Sequence, residues 1–230
     1  DGAITISEAT LMRNVANRAG GGIELINGEL TLTEVILGGF DSADGNIAGP
    51  DGTAAPGNGG GLHITNEAVV IIDGGVVGGN RAAREGGGLW NQSGSTMTVR
   101  NEALLDSNSA SGDAADDGGG AIFNNGGSLV LDEVTLWNNI ANGASGSGGG
   151  IFIRAGDVMV TDSMISGNVA NRAGGGIEII EGALTLINVT LGGPTTFDSN
   201  IAGPQGTAAP GNGGGLHVSG VSTITIDGGE

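Results

Sequence analysis

Residues 1–76 and 155–230 are two copies of one text. Shifted by 154 positions, they share 43 identical residues in 76. The stretch VANRAGGGIE stands at 15–24 and again at 169–178, and GTAAPGNGGGLH at 52–63 returns at 206–217. A shorter period lies inside this long one. Gly-Gly-Gly occurs at 20–22, 59–61, 86–88, 118–120, 148–150, 174–176 and 213–215, each time followed by Ile, Leu or Ala. Asn-x-Ala tripeptides beginning at Asn14, Asn46, Asn80, Asn108, Asn139, Asn168 and Asn200 alternate with those triplets. Five units of about 31 residues therefore make one super-repeat of 154 residues. Such a unit buries no core alone, and stacking it on its neighbours is what closes one.

Each unit carries short runs of alternating apolar residues. In the first they are Ile23-x-Leu25, Leu30-x-Leu32 and Val35-x-Leu37, and in the sixth Ile177-x-Ile179, Leu184-x-Leu186 and Val189-x-Leu191. Period two means strands with one buried face. Three short strands in about 31 residues make one coil, so the chain is expected to be all-β, a right-handed parallel β-helix (β-solenoid). The hand follows from the preference of parallel crossovers. Residues 1–230 read as one continuous solenoid segment, a piece of a longer repeat protein.

The recurrent Asn predicts a ladder of stacked carboxamides. It also suits a corner, since Asn tolerates the left-handed conformation. The Ala two residues later is expected to point inward. The glycine triplet marks a further corner, where φ is positive or coils approach too closely for a Cβ. Length varies mainly between Asn-x-Ala and the triplet, so the long forms with Pro50 and Pro56, or Pro204 and Pro210, are expected to project from one corner.

Composition narrows the function classes. Net charge is −18 and all seven cations are Arg, so the surface disfavours nucleic acid and anionic membranes. No run of 18 apolar residues exists, so no membrane insertion is expected. There is no Cys, hence no disulfide staple. A polysaccharide lyase needs a metal-binding carboxylate cluster and a base, and hydrolysis needs two carboxylates. No motif singles out such residues, and Arg18 and Arg172 are super-repeat copies, which points to a structural duty. No catalytic residue is assigned. For cofactors, Ca²⁺ at oxygen-rich turns is the single candidate, through Asp41, Asp44, Asp113, Asp116 and Asp117. Their spacing matches neither an EF-hand nor the nonapeptide repeat, and a solvated acidic corner is the alternative. Alternation places His63 outward beside an inward Leu62. Trp90 and Trp137 are candidate sugar-stacking platforms, Asn91 and Asn188 open sequons, and outward Thr suggests an ice-binding row that other coils interrupt.

GGGI and FDSN (197–200) resemble the GGxI and FxxN repeats of chlamydial-type polymorphic outer-membrane proteins, autotransporter adhesins with a β-helical passenger. The triplet position matches along essentially the whole chain, while most other units lack the Phe, and Cys and a translocating barrel are both missing. The resemblance implies an extracellular or cell-surface β-helix with an adhesive role. Together with the near-copy repeats, it leads to the expectation of a structural or adhesive scaffold: a fibre, stalk or surface-layer component. The final unit stops before its third run and its Asn, so end-to-end self-association or continuation of the same chain is expected. Host-surface or carbohydrate ligands would sit on the corner loops. The alternatives are a carbohydrate-active β-helix and an ice- or mineral-binding surface.

Overall fold

The computed structural model describes residues 2–50, 56–204 and 211–229, and none of these is helical. Residues 51–55 and 205–210, Pro210 among them, lie within the two long insertions and outside the described residues. Three parallel sheets stack along one axis, one of thirteen strands and two of seven, forming a β-solenoid of about 7 turns. In one coil the strands are Ile23–Leu25, Glu29–Thr33, Ile36–Gly38 and Ile47–Ala48. The first two belong to sheet 1, the third to sheet 2 and the fourth to sheet 3.

This assigns the alternating runs differently from their order in sequence. The first two runs share one sheet and in two coils fuse into single strands, Ile122–Asp132 and Ile151–Thr161. The third side of the tube is the dipeptide after each ladder Asn. Two residues are too few to show a period, which is why no run marks them. Their pairing is nevertheless regular: Val15↔Ile47↔Arg81↔Ser109↔Ile140↔Val169↔Ile201. The second residue is Ala throughout, and Ala48, Ala82, Ala110, Ala141 and Ala170 are buried.

The glycine triplet explains that restriction. Its middle residue crosses directly over the sheet 3 backbone of the neighbouring coil. A Cβ on Gly21, Gly60, Gly87 or Gly120 would come within 2.6 Å of backbone atoms of Ile47, Arg81, Ser109 or Ile140. The tube is pinched there to backbone against backbone, and only glycine fits. The first glycine of each triplet turns the chain with positive φ, as at Gly20 (59°), Gly86 (64°) and Gly148 (63°). In the fourth unit the frame moves by one residue. Gly119 (φ 67°) makes the turn, Gly120 crosses sheet 3, and Ala121 takes the third place. The pairing Leu89↔Ile122↔Ile151 confirms that frame.

The core fills the larger lobe of the tube. Leu30, Val70, Met97, Leu129, Val158 and Leu184 form one in-register column, and Leu32, Ile72, Val99, Leu131, Val160 and Leu186 form a second, all buried. Leu37, Val77, Leu105, Leu136 and Ile165 face them from sheet 2. Outside, the Thr row reads Thr31, Ile71, Thr98, Val130, Met159, Thr185. The interruptions expected from the sequence are therefore real in register.

Candidate functional site

The recurrent asparagines stack into one continuous ladder. Each Nδ2 donates to the next Oδ1: Asn14 to Asn46 (2.8 Å), Asn46 to Asn80, Asn80 to Asn108 and Asn108 to Asn139 (3.0 Å each), Asn139 to Asn168 (3.0 Å), and Asn168 to Asn200 (3.1 Å). The same Oδ1 also accepts the backbone N–H of the preceding Asn, as from Asn80 to Asn108 at 3.1 Å. Nδ2 makes a second donation into sheet 2, from Asn108 to the Val77 carbonyl at 2.8 Å. Asn46, Asn80, Asn108, Asn139 and Asn168 are fully buried, so every polar atom there needs a partner. No ladder Asn is left-handed, and in five of the seven coils the residue before it is: Arg13, Gly79, Ser107, Asn138 and Gly167 have φ of 55–65°.

A second column runs along the outer face of sheet 1, formed by the middle residue after each triplet. In axial order it is Glu24, His63, Trp90, Phe123, Phe152, Glu178 and His217. His63 is not exposed as alternation implied. It is buried and stacks on Trp90 with centroids 4.3 Å apart and planes 13° apart. Trp90–Phe123 (6.4 Å) and Phe123–Phe152 (4.9 Å) continue the stack. The left-handed first glycine folds the chain back over this column, which removes the outward face from water. Trp90 is therefore no sugar platform.

Two strongly perturbed groups lie in or against this column, His63 and Glu85. Burial, and then the Arg18 guanidinium, push the His63 imidazole down to about 4. Burial pushes the Glu85 carboxyl up to about 7, against the hydrogen bond from Trp90 Nε1 (3.1 Å) and the nearby Arg84. Asn58 Nδ2 also donates to Glu85, at 3.0 Å. Three coils beyond Trp90, the fully buried Glu178 receives Arg172 (3.2 Å), His217 Nδ1 (2.7 Å) and Ser219 Oγ (3.0 Å). Arg18 pairs with Glu24 at the corresponding place in the first copy. Arg172 also donates to Ser147 Oγ and the Ala115 carbonyl. Arg172 thus clasps coil to coil, while Arg18 keeps the local pair.

The acidic turns direct their carboxylates to separate tasks. Asp41 Oδ1 accepts the Ala43 N–H at 2.9 Å, and Asp44 pairs with Arg13 at 2.6 Å. Asp113 accepts the Ala144 N–H at 2.8 Å, and Asp116 pairs with Arg154 at 3.4 Å. Asp117 takes Arg84 Nε (2.8 Å) and the Ala114 N–H (3.1 Å). Among the described residues no group of three or more His, Asp or Glu side chains converges on a metal position. Elsewhere, Arg100 and then Asn101 hold the Asp73 carboxyl below its usual range, and burial raises that of Asp106.

Two buried residues escaped the sequence reading. Asn91 and Asn124 face inward where other coils carry Leu, Ile or Val, and Asn91 Nδ2 donates to Asn124 Oδ1 at 2.7 Å. Both follow an apolar residue by two, so alternation alone places them inside. The Asn91 sequon is consequently enclosed, while Asn188 is exposed.

Three parallel sheets and an axial Asn ladder define the class: a parallel β-solenoid repeat protein. Comparison with protein-family models, curated proteins and solved structures found no match.

Proposed function

We propose that this chain is a structural repeat segment of an extracellular or cell-surface protein, a stalk, fibre or surface-layer scaffold with adhesive contacts on its corners. Axial continuity supports this reading most. One ladder, one pinched glycine corner and one Ala column run through coil after coil, and the five-coil text then begins again. Hydrogen bonds between coils lie along the axis, so tension on the rod is shared by three sheets and the ladder. Among the described residues six arginines form ion pairs, several of them between coils. The net charge of −18 keeps a long rod soluble and repels other anionic surfaces. Axial growth follows by further repeats of the same chain or by end-to-end association.

The test is electron microscopy of the native parent protein on cells, with antibody labelling of unpermeabilised cells. Labelled rods with an axial period of about 24 Å, five strand spacings, support the scaffold. Label confined to the cell interior, on short discrete particles, contradicts it.

A further inference from the structure

The chain has six aromatic side chains, four Phe and two Trp. Three stack in the buried outer column. The other three, Phe40, Trp137 and Phe197, are 63%, 39% and 84% exposed. All three stand at the same side of the solenoid: Trp137 ends a sheet 2 strand, Thr135–Trp137, and Phe40 and Phe197 lie in the segments that lead from sheet 2 to the Asn ladder. By ladder steps, Trp137 and Phe197 are two coils apart, roughly 10 Å, and Phe40 and Phe197 five coils apart, roughly 24 Å.

We propose that this aromatic ridge is a binding site for an uncharged polysaccharide chain lying along the axis. The proposal rests on the corners being the binding side of the scaffold. The ridge is built on a fixed base. Asn139 Nδ2 donates to the Trp137 carbonyl at 3.0 Å, and the Gly167 N–H donates to the Asp198 carbonyl at 2.9 Å. A methyl on Gly167 would stand 3.0 Å from the Trp137 indole nitrogen and 3.1 Å from the Phe197 carbonyl oxygen. The indole edge and the Phe197 backbone therefore meet over a bare glycine. The backbone beneath Trp137 and Phe197 is held by these bonds, which limits the entropy cost of binding to the side chains.

The ligand chemistry follows from what separates the rings. They are not a contiguous apolar patch of the kind that docks a protein. Gly167 lies between the Trp137 indole and the Phe197 backbone, and the residue after each ring is polar: Asn138 is exposed, and the Asp198 carboxylate takes Thr195 N–H and Oγ1 on Oδ2. Flat rings suit the C–H faces of sugars, and carboxylate and amide oxygens accept their hydroxyls. A charge of −18 disfavours sulfated or uronic chains.

Affinity electrophoresis through gels containing hydroxyethyl cellulose, laminarin or galactomannan tests this, with heparin as the anionic control. Retardation is expected in at least one neutral gel. It should weaken about tenfold in Trp137→Ala and in Phe197→Ala, and not change in Met159→Ala, an exposed site on sheet 1. Phe197 lies on an exposed loop, so its removal leaves the fold intact, and a thermal melt of each variant verifies that. No retardation in any neutral gel, retardation by heparin alone, or unchanged binding by Phe197→Ala overturns the proposal. Micrographs of the same samples separate the two readings: rods that persist without binding leave the scaffold standing and remove the ridge.

Discussion

Replacing Asn108 by Ala should be among the most costly single changes in the molecule. Its side chain makes four hydrogen bonds: Nδ2 to Asn139 Oδ1 (3.0 Å) and to the Val77 carbonyl (2.8 Å), and Oδ1 from the Asn80 N–H (3.1 Å) and Nδ2 (3.0 Å). At a net ~1 kcal/mol each, their loss costs about 4 kcal/mol. Alanine also leaves the buried Asn80 N–H without its acceptor, adding about 1–3 kcal/mol. Asn14 supplies the internal control. It is exposed, and its Nδ2 makes one ladder bond, so Asn14→Ala should cost about 1 kcal/mol. Because stacked repeats need not unfold in one step, the assay is urea unfolding followed by both Trp fluorescence and far-ultraviolet circular dichroism, compared with amide exchange at residues 105–110. Equal costs for the two variants, or less than about 1 kcal/mol for Asn108→Ala, would refute the ladder's role.

Other outcomes follow from single positions. Gly87→Ala puts a methyl 2.3 Å from the Gly120 carbonyl oxygen and 2.5 Å from the Ser109 backbone, whereas Gly88→Ala recreates the place that Ala121 already fills one coil on. The first should cost about 3 kcal/mol or more and the second about 1 kcal/mol, read as shifts in melting temperature. His63 takes up a proton near 6.5 when unfolded but near 4 when folded, so its contribution is complete above 6.5 and lost as pH falls towards 4. Glu85 runs the other way. Its contribution is complete below 4.5 and lost as pH rises through 7, each effect being about 3 kcal/mol. Glu85→Gln should therefore flatten the decline in urea midpoint between pH 5 and 8, and an unchanged slope would count against burial as the cause. In a glycosylating host, glycopeptide mass spectrometry should find sugar on Asn188 and none on Asn91.

The sequence made the solenoid legible because repetition is visible without any knowledge of packing. Triplet, ladder Asn and inward Ala recur at fixed places, and each place has one physical demand. Sheet 3 was not legible, since a two-residue strand such as Ile47–Ala48 has no period to read. The fate of His63 was hidden for another reason. Alternation gives the face of the sheet, and the left-handed glycine that folds back to cover that face acts through φ, which composition does not display. The frame shift at Gly118 was obscured by its own glycine, which made a triplet one residue early. For the aromatic ridge, one Trp in isolation carried little. Phe40, Trp137 and Phe197 are far apart in the chain, and only stacked coils bring them to one side.

Distances across the stack test the central claim, that successive coils pair in register along one axis. The chain has no Cys, so single cysteines can be spin-labelled cleanly at Thr31, Thr98, Thr185 and Thr225, outward residues of one sheet 1 column. Pulsed electron resonance from position 31 should give distances rising in proportion to coil number, roughly 10 Å to 98, 24 Å to 185 and 29 Å to 225. A broad distribution, or a distance to 185 no longer than that to 98, would contradict the stacked solenoid and everything built on it.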